Sequence, residues 1–138
     1  MGYTPKPIKI VRYNTLKECL LAYLNLNGEE YSDADLDKCY WEGYNGGRKY
    51  RQNIGRWLKS TKYKCWGWAV YHYKEIHIWA AADCSSAELI KTLAHEYAHL
   101  HKPRHEDKRE EEKKANMAGD AAKFAYNLSI QIMDNTHG

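Results

Sequence analysis

Phenylalanine is almost missing: the chain has one Phe against 12 Tyr and 5 Trp. A core made from this set must draw on aromatic side chains that keep a polar tip. Cysteines are few and scattered, at Cys19, Cys39, Cys65 and Cys84, with no CxxC pair. That spacing argues against a cysteine zinc knuckle. No apolar run approaches the ~20 residues that cross a bilayer. The opening "MGYTPKPIKI" lacks the apolar region of a signal peptide, and Lys6 stands where a myristoylation motif wants Ser or Thr. These absences predict a cytoplasmic chain with free thiols and no membrane partner. Repeats and low-complexity linkers are missing as well. The 138 residues therefore read as one domain, with an N-terminal helical and basic part (1–64) and a second part (65–138).

Acidic residues are missing from one stretch. Between Tyr44 and Lys74 there are eight Lys/Arg and no Asp or Glu, which leaves 13 basic against 18 acidic residues elsewhere, a net of −5. The overall charge of +3 hides this division. The block "GGRKYRQNIGRWLKSTKYKCWGW" interleaves cations with rings, as a single-stranded nucleic-acid surface does. Arg48, Arg51, Arg56, Lys59, Lys62 and Lys64 would be its phosphate contacts, or contacts to an acidic protein substrate. The plainer expectation is a solvated basic face whose Trp and Tyr are drawn into the core.

Periodicity supplies a coarse map. "TLKECLLAYLNLNG" (15–28) predicts a helix with Thr15 and Glu18 as a capping box, and "SDADLDKCYWEG" (32–43) a second, shorter one. Residues 44–64 read as a loop, then a short helix around 53–59. "CWGWAVYHY" (65–73) and "EIHIWA" (75–80) predict two strands joined near Lys74. "SSAELIKTLAHEYAHLH" (85–101) predicts a helix capped by Ser85 with Glu88, which Pro103 ends. A last helix is expected from about 106 to 133. Its stripe Ala115, Ala118, Ala122, Ala125, Leu128, Ile132 implies close approach to another helix.

The chemistry concentrates in "TLAHEYAHLH" (92–101), which contains His95-Glu96-Tyr97-Ala98-His99, an HExxH pattern. Residues four apart lie one helical turn apart on one face. Two imidazoles there can reach one Zn²⁺ at ~2.0–2.1 Å, and Glu96 beside them can act as general base and acid on water. His101 points to another face. His72 and His77 fall in strands and read as packing or surface residues. A catalytic zinc takes three protein ligands, and three residues compete for the third place. His105 has the metzincin spacing, six after His99, but Lys102 stands where that pattern wants glycine and no methionine turn is evident. Glu112 and Glu111 lie on the next helix. No spacing selects an oxyanion stabiliser among Tyr126, Tyr97 and Arg109.

Glu112-Lys113-Lys114-Ala115-Asn116 fits the E-x-x-A-[N/D] pattern that follows HExxH in gluzincins. Residues 75–130 thus resemble the minimal core of the ImmA/IrrE-type and HtpX/Ste24-type metallopeptidases. The resemblance implies an α+β zincin-like domain with a small sheet, an HExxH helix and a C-terminal ligand helix, to which the N-terminal helices are added. It implies zinc on His95, His99 and Glu112, with Asn116 behind a ligand histidine. It implies a protein or peptide substrate pairing with the edge of the strand before the HExxH helix, here 75–80. The competing class is a non-enzymatic binder with a structural metal, using the basic aromatic block on nucleic acid. A nucleic-acid-directed protease, as in the SprT group, would combine the two.

Overall fold

Hydroxyl and amide side chains set most helix starts. Thr15 Oγ1 accepts the Glu18 N–H at 3.1 Å to begin α1 (Leu16–Leu24), and Asn53 Oδ1 accepts the Arg56 N–H at 3.0 Å to begin α3 (Ile54–Lys59). Ser85 Oγ accepts the Glu88 N–H at 3.2 Å to begin α4 (Ser86–His99). Each bond satisfies an amide that the first turn leaves without a partner. The computed structural model describes residues 7–26, 28–45, 47–60, 62–101 and 107–137.

The chain is α+β. In order, the elements are β1 (Lys9–Tyr13), α1, α2 (Asp33–Leu36), β2 (Tyr40–Asn45), β3 (Arg48–Asn53), α3, β4 (Cys65–Val70), β5 (Glu75–Ala80), α4 and α5 (Lys108–His137). One sheet has the order β1-β5-β4, with β1 parallel and β4 antiparallel to β5. The second sheet is the antiparallel hairpin β2–β3.

Register assigns the sheet's two faces. Trp66 pairs with Trp79 and Trp68 with His77, so these side chains share a face. Tyr23 of α1 meets Trp66 and Trp68 edge-on on that face. There the N-terminal half builds its core from Leu16, Leu20, Leu36, Ile54 and Trp57, with Trp41, Trp66 and Trp79 packed against them. On the same face the Tyr13 hydroxyl and His77 Nδ1 are 2.9 Å apart, and His77 Nε2 lies 3.0 Å from Glu75. His77 is therefore held in a structural chain away from the other histidines. The opposite face carries Gly67, Ala69, Ile76 and Ile78, and α4 covers it. Gly67 leaves room there: a Cβ would come 2.8 Å from the His77 carbonyl and 3.6 Å from Glu96 Cγ.

Helix α5 lies along α4, and small residues set the approach. Ala115 is fully buried, and a Cβ on Gly119 would come 2.9 Å from the Lys91 carbonyl. Glu88–Lys123 and Lys91–Asp120 ion pairs join the two helices. Lys74, in the β4–β5 turn at φ 52°, donates to the Leu100 carbonyl at 2.6 Å. That places a cation at the carbonyl end of α4, where the helix dipole favours it.

Four expectations change, and one strand, β1, had not been foreseen. The second helix is four residues long, and its second half is strand β2. Residues 44–45 and 48–53, read as loop, complete β2 and form β3. Two glycines serve the hairpin: Gly47 takes φ 84°, and Gly43 lets the Tyr50 ring lie on its backbone. Strand β1 had no alternating pattern to announce it. The stripe of α5 is buried only as far as α4 reaches, so Leu128 and Ile132 are exposed. Finally, Glu75–Ala80 is the central strand with neighbours on both sides, so the open edge beside α4 belongs to β4.

Candidate metal centre

The 3.6-residue turn puts His95 and His99 on one side of α4, and the first turn of α5 brings Glu112 to them. His95 Nε2 and His99 Nε2 are 3.2 Å apart. Glu112 Oε1 lies 3.0 Å from His95 Nε2, and Oε2 lies 3.2 Å from His99 Nε2. One atom from each of the three falls within 4.8 Å of the others. A tetrahedral ion bonded at ~2.0–2.1 Å separates its donors by about 3.3–3.4 Å, close to these spacings. Two imidazoles and a carboxylate are also a donor set that zinc accepts. The residues fit the ion.

Orientation comes from behind. Glu111 Oε1 lies 2.7 Å from His99 Nδ1. Accepting that N–H leaves the Nε2 lone pair aimed at the cluster. Asn116, expected in this orienting place, is exposed and its side chain makes no hydrogen bond among the described residues. Glu111 and Asn116 sit five residues apart on α5 and so face different directions. His105 lies outside the described residues.

Glu96 is 8% exposed, the one buried charged residue among those described, and its Oε1 is 3.9 Å from His95 Nε2. It stands beside the donors. Two hollows meet at it: one of about 200 Å³ with Ala69, Tyr71, His99 and Glu111, the other a groove of about 450 Å³ along Cys65–Trp68 and α4. Tyr71 enters the first hollow. No spacing or motif singles it out, since it follows β4 in a turn. Tyr97 packs on His101, ring centroids 4.4 Å apart, and neither Tyr97, Tyr126 nor Arg109 lines either hollow among the described residues.

The six cations of the basic block stand apart from the cluster. All are exposed. Arg51 is paired with Glu42 at 2.8 Å and Lys64 with Asp83 at 2.9 Å. Trp57 of the same block is buried, whereas Tyr50 and Tyr63 remain 45% and 39% exposed. The four cysteines are free, and burial pushes the Cys19 thiol up to about 12 and Cys65 to about 11. No helix among the described residues is long and apolar enough to cross a membrane.

The packing sets a pH dependence. Burial pushes the Glu96 carboxyl up to about 7, against the attraction of His95 and His99. The bond to Glu112, with a further one to Glu111, pushes His99 up to about 9 against burial. The bonds from His95 and His99 hold Glu112 far below the usual carboxylate range. Between pH 4.5 and about 7 the folded metal-free chain keeps a proton on Glu96 that the unfolded chain has released. Between 6.5 and about 9 the same holds for His99. Stability contributed by both protons is lost as pH rises through these windows. Ligation needs a neutral imidazole, so zinc affinity should rise over the alkaline window. Chelator-treated protein should melt at lower temperature at pH 9 than at pH 6, while the gain in Tm on adding zinc grows. A metal-free Tm that climbs over that interval contradicts this assignment.

No protein-family model, no curated protein and no solved structure matches the chain. The chemistry of the cluster therefore carries the functional reading.

Proposed function

We propose that the cluster is the centre of a metal-dependent hydrolase with zinc on His95, His99 and Glu112. Within that class the reading is a peptidase of the gluzincin kind, with β5, α4 and α5 as its zincin-like core. The observation that carries it is the buried Glu96 carboxyl beside three converging donors. A structural zinc is closed by four protein ligands, whereas a catalytic one keeps a position open next to an acid–base group.

When bound, zinc polarises a carbonyl and lowers the pKa of water. The chain's own groups do the rest. Glu96, held near neutral pKa, takes a proton from the attacking water and returns it to the leaving nitrogen. Glu111 holds the His99 tautomer. Strand β4 orients the substrate. The Lys64 carbonyl accepts the Ala81 N–H at 2.8 Å, so the bonding of β4 to β5 continues through Trp66, Trp68 and Val70. Cys65, Gly67 and Ala69 then turn their N–H and C=O groups to the open edge, where an extended peptide can add as a strand. Gly67 brings that edge against Glu96.

The test is zinc content and cleavage together. Purified protein should hold about one zinc equivalent and cleave an unfolded protein mixture. A chelator should stop the cleavage and added zinc restore it. Protein that takes up no zinc at micromolar concentration contradicts the reading. So does protein that takes it up and cleaves nothing.

A further inference from the structure

The N-terminal half, which the gluzincin resemblance does not reach, adds a second hollow to the groove. It encloses about 170 Å³, and its walls are Trp41 of β2, Tyr50 of β3, Trp57 of α3, Tyr63 and Trp66 of β4. Trp41, Tyr63 and Trp66 are also walls of the larger groove that holds His95, Glu96, His99 and Glu112. The two spaces therefore adjoin through one aromatic partition. The rings meet at steep angles: Trp41–Trp57 at 5.1 Å and 89°, Trp41–Trp66 at 5.5 Å and 68°, Trp57–Trp66 at 5.8 Å and 74°. Trp57 is fixed in the core, while Tyr50 and Tyr63 form an exposed rim.

We infer that this hollow is a specificity subsite, and that the substrate is an extended peptide carrying a Phe, Tyr or Trp side chain a few residues from the cleaved bond. The inference rests on the peptidase reading. Three observations select this occupant. The open edge of β4 runs past the hollow at Trp66 and on to Glu96 at Gly67, so one extended chain can engage both. The edge-to-face walls leave ring faces and edges for another ring, the arrangement aromatic pairs favour. The charges disfavour the alternatives. Glu42, the carboxylate at this hollow, is engaged by Arg51 at 2.8 Å and Lys49 at 3.5 Å, so no spare anion awaits a lysine or arginine.

The experiment pairs binding with cleavage. Zinc-loaded Glu96→Gln protein is titrated with two peptides that differ only in Phe against Ala at one position, and indole emission is followed. The position is scanned along the peptide. Phe at one fixed position should tighten binding about tenfold. Tyr50→Ala with Tyr63→Ala, both on the exposed rim, should remove that preference. Tyr63→Phe should keep it. Cleavage sites in a peptide library should show aromatic enrichment at the matching offset. Cleavage without any aromatic preference overturns the subsite and leaves the peptidase standing. A preference that survives in the rim variants overturns it too. A single-stranded oligonucleotide that shifts the indole emission where neither peptide does would reassign the hollow to base stacking. Aromatic-selective binding with no hydrolysis by the wild type would keep the subsite and sink the peptidase.

Discussion

Glu96→Gln should keep one zinc equivalent and lower the hydrolytic rate by about 10²–10⁴-fold, the range removed with a positioned general base. The side chain lies 3.9 Å from His95 Nε2 and outside the trio of donors, so its replacement leaves the ligand set intact. Glutamine matches glutamate in shape but cannot accept a proton at the position of the carboxylate oxygen. A second consequence separates this role from a structural one. Burial raises the Glu96 carboxyl to about 7, so at pH 8 the metal-free wild type carries an ionised group that its site disfavours. Removing that charge should make the metal-free variant melt no lower than wild type at pH 8, and relatively better there than at pH 5. Activity at the wild-type level in Glu96→Gln would move the base elsewhere. Loss of zinc in the same variant would make Glu96 a ligand.

Local rules made much of the site legible. HExxH spacing needs only a helix, and Ser85 starts that helix where expected. The small residues of α5 also spoke plainly, since Ala115 and Gly119 let α4 approach. What stayed hidden depended on partners distant in sequence. β5 read as a single strand gives no sign that β1, some 65 residues earlier, lies parallel beside it. Without that neighbour β5 would have the open edge; with it the edge passes to β4. The hairpin β2–β3 was masked by its glycines, whose value appears only when Tyr50 is seen lying over Gly43. The aromatic block divided by burial, Trp57 inward and Tyr50 and Tyr63 at the rim, because only tertiary contacts decide which rings the core takes. Glu111 and Glu112 are neighbours in sequence, and no periodicity separates a donor from its support. The structure separates them by the imidazole nitrogen each one meets.

That separation leads to the second large effect. Glu112→Ala should abolish stoichiometric zinc binding, because it takes away the carboxylate whose two oxygens meet the Nε2 atoms of His95 and His99. Glu111→Ala should weaken zinc by about 10–100-fold and keep the site, the usual cost of losing an orienting partner. Asn116→Ala should change nothing, since its side chain is exposed and unbonded among the described residues. Competition against a chromophoric chelator measures all three on one scale. The same variants should differ without metal. Glu112→Ala removes the first cause of the raised His99 pKa and should bring that titration down by more than Glu111→Ala does, which imidazole proton shifts can follow. If His105→Ala loses zinc while Glu112→Ala keeps it, the third ligand is the histidine and α5 serves only as support. If Glu111→Ala loses zinc outright while Glu112→Ala keeps it, the two glutamates exchange roles. The division between Glu112 and Glu111 follows from one geometric fact: successive residues of a helix point about 100° apart, so only one glutamate of the pair can face the Nε2 side.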